Sequence, residues 1–135
     1  MLSYSSENKF KLKHIKKEKG SVFGKHYIME LKTNNRKLLD DGKAVMRIME
    51  EAARKGNVTV LGSLSRDFEP QGFTGVLLLS ESHITIHTWP EYGYAAIDVF
   101  TCGGCAEVVL DHMAKELEAS DFELVFIERG AIDED

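Results

Sequence analysis

The alternation over residues 83–88 is the strongest constraint this chain places on its own fold. His83, Thr85 and His87 fall on one face of an extended strand and Ile84, Ile86 and Thr88 on the other, because strand side chains repeat every two residues. Trp89-Pro90 ends that strand, since proline has no amide hydrogen to give to a ladder. After Glu91-Tyr92-Gly93 the alternation resumes over residues 94–101, with Ala96, Asp98, Phe100 and Cys102 on one face. So short a turn makes the two strands antiparallel neighbours and puts His87 and Cys102 within reach of a shared site. Ahead of them residues 76–79 are continuously apolar, which reads as a strand covered on both faces, entered through Pro70, Gly72 and Gly75.

The rest of the chain supplies partners for this hairpin. Residues 21–32 read as a strand, with Val22, His26, Ile28 and Glu30 set against Phe23, Tyr27, Met29 and Leu31, and Asn34-Asn35 turns the chain. Leu38, Val45, Ile48, Met49 and Ala52 form one face of a helix that Gly56 stops. Residues 58–61 make a short β-branched strand, and 62–72 a charged loop carrying Phe68. Beyond Gly103-Gly104, Ala106, Val109, Leu110, Met113 and Leu117 are the stripe of a second helix, and 122–128 a last strand. Strands paired mainly antiparallel, with two helices packed on one face, make an α+β two-layer sandwich. It occupies 21–135 as a single domain. Residues 1–20, with Lys9, Lys11, Lys13, Lys16, Lys17 and Lys19, read as a mobile arm or an added helix.

Charge and composition exclude several partners. A net charge of −5 argues against nucleic acid, which needs a basic footprint, and suits a cationic small molecule. No apolar run is long enough to span a membrane or serve as a secretory signal, so no membrane partner is expected and the location reads as cytoplasmic. Cys102 and Cys105, three apart, then point to metal or redox chemistry before a disulfide.

Taken singly, the reactive residues are ambiguous. Ser80-Glu81-Ser82 between apolar runs is good turn chemistry, His87 can be a satisfied strand histidine, Glu91 an exposed turn acid, and Cys102 a small core residue. Together, SESHITIHTWPEYGYAAIDVFTCG resembles, almost position for position, the signature of the small prokaryotic pyruvoyl-dependent S-adenosylmethionine decarboxylases, and FGKHYIMEL is similar to that family's opening strand.

The resemblance implies self-cleavage between Glu81 and Ser82, giving a β chain of 1–81 and an α chain of 82–135. Ser82 then becomes a pyruvoyl group, a ketone that forms a Schiff base with an amine and serves as an electron sink. It implies that His87 is the base for processing, that Thr74 assists the same step by hydrogen bonding, and that Cys102 returns a proton to the α-carbon after carbon dioxide leaves. Glu91 would hold the ribose hydroxyls. Phe68 would stack on the adenine, in family members from the neighbouring subunit, so a homodimer is implied as well. The product would feed spermidine synthesis.

The chain departs from the family in Arg66, Glu69 and the run Gly104-Cys105-Ala106. Asp67 and Glu69 would also suit a guanidinium or ammonium, so arginine or ornithine is the alternative substrate. A zinc site of His83, His87, Cys102 and Cys105 is the alternative from another class, and a redox pair of Cys102 and Cys105 a further one. No metal is expected on the main reading.

Overall fold

The computed structural model describes residues 11–15, 22–80, 82–102 and 105–130. Among these residues seven strands form one sheet: β1 (Lys11–Ile15), β2 (Gly24–Thr33), β3 (Val60–Asp67), β4 (Phe73–Leu79), β5 (His83–Trp89), β6 (Tyr94–Thr101) and β7 (Ala119–Arg129). The helices are α1 (Arg36–Leu39), α2 (Gly42–Lys55) and α3 (Ala106–Glu116). Strand order is β1-β7-β2-β6-β5-β4-β3, antiparallel throughout except for β1 against β7. Residues before position 82 supply β1 to β4 and those from 83 onward β5 to β7. The two sets interleave, with β7 between β1 and β2, and β2 between β7 and β6.

The alternation of the hairpin produces this layering directly. Ile84, Ile86, Ile97 and Val99 are fully buried on one face, where they meet Val45, Met49 and Ala52 of α2 and Val109, Leu110 and Met113 of α3. The α+β sandwich with its helices on one face is therefore as the pattern implies. Gly75 lets α2 sit close to β4, since a Cβ there would lie 2.8 Å from Met46 Sδ. The hairpin turn is one 3-10 turn, Pro90–Tyr92, closed by Gly93 at φ 61°. A side chain on Gly93 would be strained by that left-handed backbone and would strike the Thr33 carbonyl oxygen.

Four expectations need correcting. Within the lysine-rich arm, Lys11–Ile15 is strand β1 on the edge of the sheet, from Lys11 opposite Glu123 to Ile15 opposite Ile127. The segment read as a loop after residue 61 continues as β3 to Asp67; Leu61 and Leu64 are exposed, because an edge strand is held by its backbone ladder to β4 and leaves no apolar stripe to read. The first helix is two, with the side chain of Asn35 capping α1 and that of Asp41 capping α2. Finally, residues 76–79 are covered on one face only. Leu77 and Leu79 are buried while Leu78 is 56% exposed, because the helices among the described residues lie on one face of the sheet. No helix among the described residues is long and apolar enough to cross a membrane.

Candidate active site

Ser82 sits at the break between β4 and β5. Its hydroxyl accepts the backbone N–H of Cys102 at 3.1 Å, and its carbonyl accepts the N–H of Leu79 at 3.0 Å. The hairpin register explains the first contact: His83 lies opposite Phe100, so the chain leaving β6 passes beside the residue entering β5. An open pocket of about 480 Å³ lies here, lined by Leu78, Ser80, Ser82, His83, Phe100 and Arg129 among others.

A small network stands behind this pocket on the open face of the sheet. His26 Nε2–H donates to Asp98 at 2.8 Å, and the His26 ring meets His83 edge-on at 6.1 Å. Burial, then the neighbouring His26, hold the His83 imidazole below its ordinary value of 6.5, with Asp98 opposing them. Further along the same face Tyr94 donates to Glu30 at 2.6 Å. Burial first and that hydrogen bond second push the phenol up to about 12.

The other candidates gather at the opposite end of β5. Thr74 and His87 are direct cross-strand partners, with Thr74 Oγ1 and His87 Nδ1 2.8 Å apart. They line a second pocket of about 340 Å³ with Phe68, Trp89 and Glu91. Phe68 is 44% exposed, with the Arg66 guanidinium 5.6 Å from its ring centroid. Arg36 donates to the Glu91 carbonyl at 3.0 Å, which fixes the turn that presents the Glu91 side chain. The Trp89 and Tyr94 rings stack at 5.3 Å across the hairpin.

The sequence candidates thus form two separate groups. Ser82 and Cys102 are together, as are Thr74, His87, Phe68 and Glu91, but the groups lie apart. His87 lies five residues along the chain from Ser82, roughly 17 Å at about 3.4 Å per residue. The expectation that His87 and Cys102 share a site within one chain is overturned for the same reason: the turn sets Trp89 against Tyr94, which pairs His87 with Ala96 and carries Cys102 to the far end. Glu81, expected at the cleavage site, lies outside the described residues.

The zinc alternative loses its geometry too, since no group of three or more His, Cys, Asp or Glu among the described residues is disposed to hold a metal ion. Neither Cys102 nor Cys105 is in a disulfide. Sequence reading gave no role to His26, Asp98 or Arg129. The alternation of β6 carried a signal for Asp98, which shares a face with Phe100; nothing in the sequence marked Arg129.

Comparison with known proteins follows the same lines. Residues 25–130 match the family model described as S-adenosylmethionine decarboxylase. The S-adenosylmethionine decarboxylase proenzyme of Synechococcus sp. is 47% identical over 105 residues, covering 76% of this chain and 82% of that one. Its counterpart from Thermotoga maritima is 42% identical over 113 residues, covering 82% and 87%. The crystal structure of the adenosylmethionine decarboxylase from Aquifex aeolicus superposes with a TM-score of 0.79 at 32% identity, covering 86% of this chain and 98% of that one.

Proposed function

The chain belongs to the S-adenosylmethionine decarboxylase family, and we propose that it is a self-processing, pyruvoyl-dependent enzyme. Its substrate is S-adenosylmethionine, and its products are carbon dioxide and the decarboxylated sulfonium that supplies aminopropyl groups for spermidine synthesis. The observation that carries this reading is the Ser82 hydroxyl held by the Cys102 N–H at a strand break, beside an open pocket.

Maturation uses the chain's own atoms. Ser82 Oγ attacks the Glu81 carbonyl carbon, the C–N bond breaks, and an ester and a free amine result. A base then removes the Ser82 α-proton and the Glu81 carboxylate leaves. The dehydroalanine left at position 82 takes up one water and releases ammonia, which produces the pyruvoyl group. That group supplies a carbonyl to which the substrate amine attaches and into which electrons flow when carbon dioxide departs. Cys102 stands beside position 82, where its thiol delivers a proton to the substrate α-carbon.

His87 is the base for the elimination, with Thr74 orienting its ring through the 2.8 Å contact. Proton transfer needs about 3 Å between heavy atoms, so the His87 that serves one Ser82 belongs to a second copy of the chain. Phe68 and Glu91 share the His87 pocket and reach the same substrate from that copy, Phe68 by stacking on adenine and Glu91 by accepting the ribose hydroxyls. The open face of the sheet, with Leu78 56% and Trp89 41% exposed, is the surface on which the copies pack. We place this homodimer in the cytoplasm, where its two thiols stay reduced.

Intact mass spectra of the protein and of Ser82→Ala test the reading, followed by carbon dioxide release from adenosylmethionine, arginine and ornithine. The native chain splits between Glu81 and Ser82, with the C-terminal piece lighter by one ammonia than simple hydrolysis gives, and only adenosylmethionine turns over. A single full-length mass after long incubation, or turnover of a basic amino acid alone, would sink it.

A further inference from the structure

We infer that Arg129 is the residue that holds the substrate's carboxylate beside Ser82, and so selects an α-amino acid over a plain amine. This rests on the decarboxylase reading above and adds a binding role to it.

Three observations converge on Arg129. It lies at the end of β7 opposite Gly24 of β2, and it lines the Ser82 pocket. Its guanidinium carbon stands 5.8 Å from the centroid of the Phe100 ring. Gly24 makes that reach possible: a Cβ there would come within 2.7 Å of two ring carbons of Phe100, so the ring packs against bare backbone and the arginine crosses to it. The guanidinium has no carboxylate partner among the described residues. Of the described residues lining this pocket, Arg129 alone carries a permanent charge.

The substrate needs such a group. Its amine joins the carbonyl made from Ser82, and its carboxylate sits on the same carbon, so the carboxylate is confined to this pocket. Leu78 and Phe100 make much of the lining apolar, and a carboxylate brought there loses water unless a donor replaces it. A guanidinium presents two parallel N–H groups that match a carboxylate, and ring stacking orders it beforehand. The contact disappears with carbon dioxide, which favours release of the product. It therefore acts on substrate binding more than on the barrier.

The test compares substrate with product on protein that cannot turn over. Borohydride reduction of the mature protein converts its ketone to an alcohol. Calorimetry then gives the affinities of S-adenosylmethionine and of its decarboxylated product for native protein, Arg129→Ala and Arg129→Lys. Arg129→Ala weakens the substrate by about tenfold or more, the scale of a charged hydrogen-bonded pair, and leaves the product within about twofold. Arg129→Lys recovers part of the loss. Should the alanine variant fold poorly, Arg129→Gln carries the same comparison. Equal losses for both ligands, no loss for either, or an effect confined to chain cleavage overturns the assignment. Native protein that cleaves but does not act on adenosylmethionine removes the underlying reading and this inference with it, an outcome visible before any variant is made.

Discussion

Cys102 donates its backbone N–H to the Ser82 hydroxyl at 3.1 Å, so one residue touches position 82 through its main chain and, on the proposed reading, serves the reaction through its side chain. The two contributions separate on mutation. Cys102→Ala keeps the amide and loses the thiol. The variant chain still cuts, while carbon dioxide release falls by roughly 10²–10⁴, the usual range for a lost general acid. Mass spectra and a radiometric carbon dioxide assay read the two effects independently; loss of cutting would show that the thiol acts in maturation.

His87 and Ser82 stand at opposite ends of β5, and that separation predicts rescue between chains. His87→Ala alone and Ser82→Ala alone both stay uncut. Co-expressed, the His87→Ala chain is cut, because the other chain lends it a histidine. Persistent full-length protein in the mixture would show that each chain processes itself.

Adjacent leucines on β4 answer to different forces. Leu77 is fully buried, and Leu77→Ala costs about 2–5 kcal/mol in urea unfolding of the uncut Ser82→Ala chain. Leu78 is 56% exposed, and in dilute uncut chain Leu78→Asp shifts stability by no more than about 0.5 kcal/mol while shifting sedimentation towards the monomer. A dimer unmoved by Leu78→Asp would place the contact between copies elsewhere.

His83 gives stability a pH dependence of known sign. Burial, then His26, lower its folded pKa below 6.5, so the unfolded chain binds a proton that the folded chain refuses. The contribution is whole above pH 6.5 and is lost as pH falls from there through the lower folded value. His83→Gln cannot take the charge, so its melting temperature parts from the native value only below pH 6.5. Curves that diverge on the alkaline side instead would contradict the assignment.

Much of this was legible in the sequence where side chains repeat with the backbone. Ile84, Ile86, Ile97 and Val99 mark the central hairpin, and Val109, Leu110 and Met113 mark α3, because each must reach the core. The continuation of β3 past residue 61 was not legible, since at the sheet edge Leu64 faces solvent and only main-chain bonds hold the strand. The cluster around residue 82 was identifiable as chemistry, but its division in two was not. That division depends on register, which the Pro90–Tyr92 turn sets, and spacing along the chain does not report distance across a sheet. Arg129 was beyond reach for a related reason. Its contact with Phe100 crosses a third strand through the gap at Gly24, and no local pattern encodes a gap.

The interleaved strand order has a consequence for the protein's history. A cut ahead of Ser82 leaves two polypeptides woven through one sheet, with β7 of the later piece gripped between β1 and β2 of the earlier one. Neither can slide out without breaking ladders on both sides, so the cut molecule persists as one body. Once melted, however, it is two solutes, and recovery depends on the product of their concentrations. The intact precursor refolds as a single chain at any dilution; the mature protein does not. On the proposed reading folding precedes the cut, and the cut turns a reversible fold into one reached only once.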